Sequence, residues 1–394
     1  MKTLALGIVM TGVLTTSAVA QEASRPAGTP TSSGAPAALS ASATAAVQAL
    51  APQDGFMNFF RKTELFGTAD GYFMYGFNKP AAGSFIPLRA FDAQHNQFTV
   101  ALAEVGLSKP ATTDDRVGFR FDLDFGPVAD AVNAFEPGGE TFRHLQQAYV
   151  SYLAPTGTGL TLDFGKFVTQ HGAEVIEAKD NWNYSRSLLF TWAIPFYHSG
   201  IRLSYAANDK VSVGGTISNG WNNVVETNSG KTYSLMATLK PTPAVTIFQN
   251  YMGGPEQVGN SDDWRHLYDG TITYALNDKV SLMGNYDYGH DTVVGETVVW
   301  QGVAVYAKVQ ATPIFALIPR FEYYDDSHGG FTTGLPQKLK EVTLTAEVKH
   351  SQGLITRFEY RGDWSDMEYF VKNDTTRKNQ GTFTVGFVYG FSSK

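Results

Sequence analysis

The chain has 394 residues, a net charge of −7 and no cysteine, with 13% aromatic and 17% charged residues. Without cysteine it has neither disulfides nor thiolate metal sites, and a mild acid excess with no basic patch argues against nucleic-acid binding. Past the first twenty residues nothing supplies the ~18 consecutive apolar residues of a spanning helix.

Residues 1–20 read as a secretory signal, with Lys2, an apolar stretch from Leu4 to Leu14, and Ala18-Val19-Ala20 ahead of Gln21. Residues 21–65 form a low-complexity segment expected in the periplasm. Its first part, 21–54, is rich in Ala, Ser, Thr, Pro and Gly and too poor in large apolar side chains to offset its ordering entropy. Within it Ser40 to Leu50 is a weak Ala-rich helix candidate, and Phe56 to Leu65 is an amphipathic one. From 66 to 394 the chain reads as a ladder of sixteen strands, within bounds of fourteen to eighteen.

Short connections are expected at Ser108 to Asp115, Ala154 to Gly159, Ala207 to Lys210, Lys240 to Pro243, Leu276 to Lys279, Ala311 to Ile314 and His350 to Gly353. Between them fall long polar ones near 78–93, 126–141, 169–197, 219–230, 253–263, 289–297, 325–338 and 364–380. A barrel crossing an outer membrane has this asymmetry, because its two rims meet different compartments. The short turns are then periplasmic and the long loops exterior.

Period-two alternation supports the strands. Val117, Phe119, Phe121, Leu123 and Phe125 alternate with Gly118, Arg120, Asp122 and Asp124, and Phe383, Val385, Phe387 and Tyr389 oppose Thr382, Thr384 and Gly386. Charges of both signs sit at strand centres, and aromatics such as Tyr72, Tyr75, Trp264, Tyr286 and Tyr389 gather near segment ends, as interfacial girdles do. These features favour a closed antiparallel up-and-down transmembrane β-barrel over a secreted β-sandwich. Phe248 and Leu145 break the alternation, and Leu188 to Ile194 is either a strand or part of a loop.

Gly165-Lys166-Phe167, Gly172-Ala173-Glu174, Asn181-Trp182-Asn183-Tyr184-Ser185-Arg186-Ser187, Pro195, Gly200-Ile201-Arg202 and Ser218-Asn219-Gly220-Trp221 resemble the bacterial β-barrel porins of the second type, also called OmpL-like. Gly71-Tyr72-Phe73-Met74-Tyr75 is similar to that family's first strand. The resemblance spans most of 66–391 and is strongest over 160–225. It implies a Gram-negative outer-membrane barrel passing solutes, without naming one. Outer-membrane strands often end on a terminal aromatic. Here Phe391 holds that place, yet Ser392, Ser393 and Lys394 follow it.

The longest connection, 169–197, carries His171, Glu174, Glu177, Lys179, Asp180, Asn181, Asn183 and Arg186. Folded inward, it would line a constriction with both charge signs; the bland reading is a surface loop packed on the rim. Alternation places Arg120, Arg143, Arg202, Arg265, Lys308, Arg320, Lys349, Arg357 and Arg361 inside, against Asp122, Asp124, Asp163, Asp269, Glu322, Glu341, Glu347, Glu359 and Asp363. Such walls would either set a transverse field across the pore or pair into salt bridges that stiffen it. Trp182, Trp192 and Trp221 either stack on sugars or anchor loops.

No Gly-x-Ser-x-Gly elbow, phosphate loop or His-Glu-x-x-His occurs. The expectation is a passive, non-enzymatic channel for small hydrophilic solutes, with no cofactor or metal, in contact with outer-membrane lipids and open to homo-oligomer formation. The alternatives are a barrel enzyme of lipase or protease type and a structural, surface-binding barrel.

Overall fold

The computed structural model describes residues 55–394 apart from 82–83, 135, 137–141 and 374. The expected signal and residues 21–54 lie outside the described residues. Residues up to Lys62 and residues Thr63–Lys394 are separate compact units. Of the first, the described part is helix α1 (Gly55–Lys62), whose last turn carries Arg61 and Lys62, where cations suit the negative end of the helix dipole. The helix is shorter than the sequence suggests, because Leu65 already belongs to a strand.

The second unit is a closed barrel. Its first half comprises β1 (Glu64–Gly76), β2 (Gln97–Lys109), β3 (Val117–Phe125), β4 (Leu145–Ala154), β5 (Leu160–Val168), β6 (Tyr197–Asn208), β7 (Val211–Ser218) and β8 (Thr232–Thr242). The second half comprises β9 (Val245–Pro255), β10 (Trp264–Asn277), β11 (Val280–Val293), β12 (Glu296–Thr312), β13 (Phe315–His328), β14 (Lys338–Lys349), β15 (Leu354–Ser365) and β18 (Asn379–Ser392). The short β16 (Phe370–Lys372) and β17 (Thr375–Arg377) pair only with each other, as a hairpin between β15 and β18. Sixteen strands follow one another in chain order, each antiparallel to the next, and β1 closes the sheet on β18 from Phe66↔Ser392 to Gly76↔Thr382. Closure leaves the barrel no edge, so each of its sixteen strands has two hydrogen-bonded neighbours.

The burial pattern is inverted relative to a water-soluble sandwich. On β14, Glu341, Thr343, Thr345 and Glu347 are buried while Val342 and Leu344 are exposed. On β15 and β18, Phe358, Tyr360, Phe387 and Tyr389 face out while Arg357, Glu359, Arg361 and Thr384 are sealed inside. An apolar exterior around a polar interior has its free-energy minimum in lipid. This separates the membrane barrel from the sandwich that the same alternation also allowed.

All seven expected short connections join neighbouring strands at one end of the barrel, the short-turn end. The other end, the loop end, departs from expectation once. Between β11 and β12 there is only Val294-Gly295, both at positive φ (53° and 80°), which makes a tight hairpin turn instead of a long loop. That turn normally recruits Asn-Gly or Gly-Gly, and a Val in the left-handed region hides it from sequence. Helix α2 (Pro127–Val132) occupies the connection after β3. Leu145 sits at a register shift opposite Asp122/Leu123, where a bulge absorbs one residue. Phe248 keeps the register of inward Asn250, and Leu189–Ala193 forms a π-helical turn inside loop 169–196.

Candidate channel interior

Loop 169–196 leaves β5 at Val168 and returns at Tyr197, its partner across the ladder. Between those points it runs inside the barrel. An inserted loop brings backbone N–H and C=O groups away from bulk water, and each needs a partner. The inward side chains of the barrel wall supply them.

On the way in, Asn250 Nδ2 donates to Gln170 O (3.0 Å), and Thr169 Oγ1 lies 3.1 Å from His171 Nδ1 and 3.2 Å from His198 Nε2. Burial holds the His171 imidazole below its ordinary pKa, against a smaller opposing pull from Asp269. Glu174 accepts from Arg320 Nη1 (2.9 Å), Tyr306 OH (3.1 Å) and Ser187 N (2.6 Å). The tip is closed by Asn181, whose amide bonds both Val175 N (2.9 Å) and Val175 O (2.7 Å) around a single 3-10 turn, Ala178–Asp180. Lys179 and Asp180 pair there and line a 510 Å³ cavity with Glu64, Ser108, Arg120 and Phe391, at the short-turn end. The loop therefore reaches from one end of the barrel almost to the other.

The return limb climbs β12–β15 step by step. Arg357 donates to the carbonyls of Ala178 (2.6 Å), Asn181 and Asn183 (3.1 Å), and Asn183 Nδ2 donates to Ile318 O (3.1 Å) and Thr345 Oγ1 (2.7 Å). One residue on, Glu359 accepts Tyr184 N (2.7 Å) and Ser185 N (3.0 Å), while Tyr184 OH donates to Asp70 (2.7 Å). Gly386 is the only residue that fits there, since an added Cβ would overlap the Tyr184 ring. Arg320 donates to Ser185 O (2.7 Å), Arg361 to Arg186 O (2.7 Å), and Leu189 N to Glu322 (3.3 Å). Near the loop end Trp300 Nε1 donates to Ala193 O (3.1 Å). Phe190, Phe196 and Phe91 then cluster with ring centroids 5.5–5.6 Å apart.

Arg320 is the hub of this wall, within 2.9 Å of Glu174, 3.3 Å of Glu322 and 3.0 Å of Glu341, and wholly buried. Arg361 pairs with Asp363 (2.8 Å) and Arg357 with Glu347 (2.8 Å). The stripe Arg357, Glu359, Arg361 and Asp363 is thus engaged in pairs and loop contacts. Of the loop residues singled out from sequence, Glu174, Asn181, Asn183 and Arg186 are buried in internal or wall contacts, and His171 is buried at the start of the descent. Glu177 and Lys179 remain half-buried and Asp180 exposed. Burial raises the Glu177 pKa; for Lys179 burial works against the charge, but Asp180 outweighs it and the pKa is raised.

Across the barrel the wall differs. Arg120 pairs with Asp122 (2.7 Å) and Arg202 with Asp163 (2.7 Å), but Asp124 is buried with no partner on either carboxylate oxygen. Arg143 precedes β4 and meets Asp130 at 3.5 Å, outside the strands, so it leaves the inward set. Asp70, Glu104, Lys166, Asp287, Tyr306 and Trp300 face inward and were missed. Asn285 and Asp287 do alternate with Tyr286 and Tyr288, a period-two signal that could have found Asp287. Among the described residues no group of three or more His, Asp or Glu is placed to hold a metal ion.

A closed polar-cored barrel of this kind is a bacterial outer-membrane channel. The family model for putative beta-barrel porin-2, OmpL-like, matches residues 62–391, and the chain belongs to that family. No curated protein matches it. Among solved structures, an anion-selective porin from Comamonas acidovorans superposes with TM-score 0.59 at 12% identity, covering 84% of this chain and 99% of that one. The outer membrane channel DcaP of Acinetobacter baumannii gives 0.56 at 12% identity over 84% and 97%. The trimer form of OmpT, an outer membrane protein of Vibrio cholerae, gives 0.56 at 12% identity over 84% and 99%.

Proposed function

We propose that the protein is a passive, non-enzymatic diffusion channel for small hydrophilic solutes, with segment 169–197 as its constriction. The observation that carries this reading is the route of the loop, which crosses the lumen and is held by buried side chains of β12–β15 instead of lying on the rim. A sixteen-stranded lumen is wide enough to need such narrowing if it is to select by size. Solutes then meet Glu177, Lys179 and Asp180 at the tip and the half-buried wall residues Arg120 and Arg202, which pair with buried Asp122 and Asp163, while Asp124 stays sealed in the wall and Arg320, Glu322, Arg357, Glu359 and Arg361 hold the loop. The short-turn end faces the periplasm and the loop end the exterior. Outer-membrane lipids surround the apolar face, and assembly into a homo-oligomer follows the precedent of the trimeric relative in fold.

Planar-bilayer recording of the refolded protein tests this. The wild type is expected to conduct, and deletion of 174–186 is expected to raise single-channel conductance severalfold. A folded barrel that stays silent in both forms would refute the channel, and unchanged conductance on deletion would refute the constriction.

A further inference from the structure

Three arginines of the inner wall stand outside β12–β15, the strands that hold the loop, and each repeats one construction. Arg120 on β3, Arg202 on β6 and Arg265 on β10 donate through Nε to Asp122 (2.7 Å), Asp163 (2.8 Å) and Asp291 (2.9 Å). In every pair the acid is the hidden partner. Side-chain exposure is 33% against 0% for Arg120 and Asp122, 15% against 7% for Arg202 and Asp163, and 13% against 0% for Arg265 and Asp291. Lys308 on β12 keeps the same order against Glu347, at 19% and 1%. A second donor holds each aspartate back in the wall: Gln147 for Asp122 (2.6 Å), Ser151 for Asp163 (2.6 Å) and Gln257 for Asp291 (2.9 Å).

Aromatic rings fix the cations in turn. The Arg120 guanidinium lies 4.9 Å from the centroid of Phe66, Arg202 4.6 Å from Phe167 and 5.3 Å from Tyr149, and Arg265 5.0 Å from both Trp221 and Phe331. A guanidinium held by its Nε edge and by a ring keeps its outer edge in place. That outer edge is free. Among the described residues Nη1 of Arg120, Arg202 and Arg265 has no hydrogen-bond acceptor, and it stays open to solvent. The arginines of the loop-holding wall differ at this same atom, since Nη1 of Arg320, Arg357 and Arg361 donates to the loop carbonyls of Ser185, Ala178 and Arg186. The three free edges are also spread along the lumen. Arg265 lies near the loop end of β10, Arg202 midway along β6, and Arg120 toward the short-turn end of β3, beside the 510 Å³ cavity.

We infer that Arg265, Arg202 and Arg120 form a descending track for small anions, carboxylates foremost, and make the channel anion-preferring. This rests on the channel reading above and names the solute charge it favours. Each ion pair is neutral as a whole, so distance decides. An oxyanion accepting from Nη1 sits ~2.8 Å from the guanidinium nitrogen, while the aspartate lies behind the guanidinium and acts from farther off. Attraction therefore outweighs repulsion at contact, and the planar fork suits carboxylate geometry. At the short-turn mouth Glu64 and Asp180 are matched by Arg120 and Lys179 around the cavity. Glu177, half-buried on the loop, opposes the preference and keeps it moderate.

The test is the reversal potential of the wild-type channel in a KCl gradient and again in a potassium acetate gradient. The anion should be preferred over K⁺ in both salts, with a Cl⁻ to K⁺ permeability ratio of roughly threefold. A ratio at or below one in either salt overturns the inference without needing any variant to fold. The variant Arg120→Gln/Asp122→Asn/Arg202→Gln/Asp163→Asn removes each base together with its acid, so net charge is unchanged and no buried charge is orphaned. Its ratio should fall to within about 1.5-fold of unity. A folded variant that keeps the wild-type ratio overturns the inference, because the preference then arises away from the free guanidinium edges. A folded wild type that never conducts overturns the channel reading itself, so the two failures are told apart.

Discussion

The two sides of the lumen carry similar residue types and do different work. On β12–β15 and β18, acids, arginines and threonines are saturated, with almost every inward group bonded to the loop or to another wall residue. On β3–β4 and β7–β11 the same chemistry is left with unpartnered atoms at Asp124, Gln146, Thr216, Ser218, Ser234, Thr271 and Asp287. What separates them is 169–196, whose backbone provides polar partners mostly on one side, with Asn250 to Gln170 O the contact on the other. A polar wall is fastened where the loop lies against it, and it keeps unpartnered buried atoms where the loop does not.

The largest effect should come from Arg320→Ala. It strips the counter-charge from Glu174, Glu322 and Glu341 together and two bonds from Ser185. Breaking a buried charge cluster from one side costs ~3–5 kcal/mol, so the loop should leave the wall. Conductance should rise to near that of the 174–186 deletion, with a lower unfolding midpoint. A variant with wild-type conductance and stability would show that the saturated wall does not hold the loop.

Glu359→Gln is a milder version of the same break. One carboxylate serves Tyr184 N, Ser185 N and Thr345 Oγ1, and an amide keeps only one accepting oxygen. Loss of a charge-assisted bond costs about 1.5–3 kcal/mol. Here the barrel should stay folded while the current becomes noisy, the loop detaching and re-docking. A current as quiet as wild type would mean that the return limb is secured without Glu359.

Much of this comparison is out of reach of the sequence, for a definite reason. Strand positions are legible because a membrane barrel writes period two into every segment, as in Phe119–Phe125 and Phe383–Tyr389. Inward charges such as Arg357 and Glu359 are legible on the same count. Their partners are not, because Ala178 O, Asn183 O and Tyr184 N are backbone atoms with no residue-type signature. The density of family-like residues in 169–197 pointed to an inserted loop, but length alone could not say which wall it would take. The 289–297 turn was lost because Val294 adopts a conformation that Asn or Gly usually marks.

Acid should loosen the loop at its entry. In the docked loop burial holds His171 below its ordinary pKa of 6.5, whereas in an undocked loop it titrates normally. The contribution of this group to docking is therefore complete above 6.5 and is lost as pH falls from there toward the depressed value. Conductance should rise modestly between neutral pH and pH about 5, and His171→Gln should flatten that rise. If the pH dependence survives the substitution unchanged, it originates elsewhere.

The smallest expected effect is also the most discriminating between the two walls. Asp124→Asn replaces a buried carboxyl group that no base or hydrogen bond compensates and that faces Glu104 across the ladder. On the saturated wall, removing one member of a buried ion pair destabilises; here the change touches a carboxyl with no partner to lose, so stability should hold or rise slightly. Glu341→Gln, which takes a charge from the Arg320 and Arg361 cluster, should destabilise in the same assay. Denaturant midpoints of the two variants side by side decide the matter. If Asp124→Asn is as damaging as Glu341→Gln, then Asp124 is paired in the working barrel and the two walls are alike.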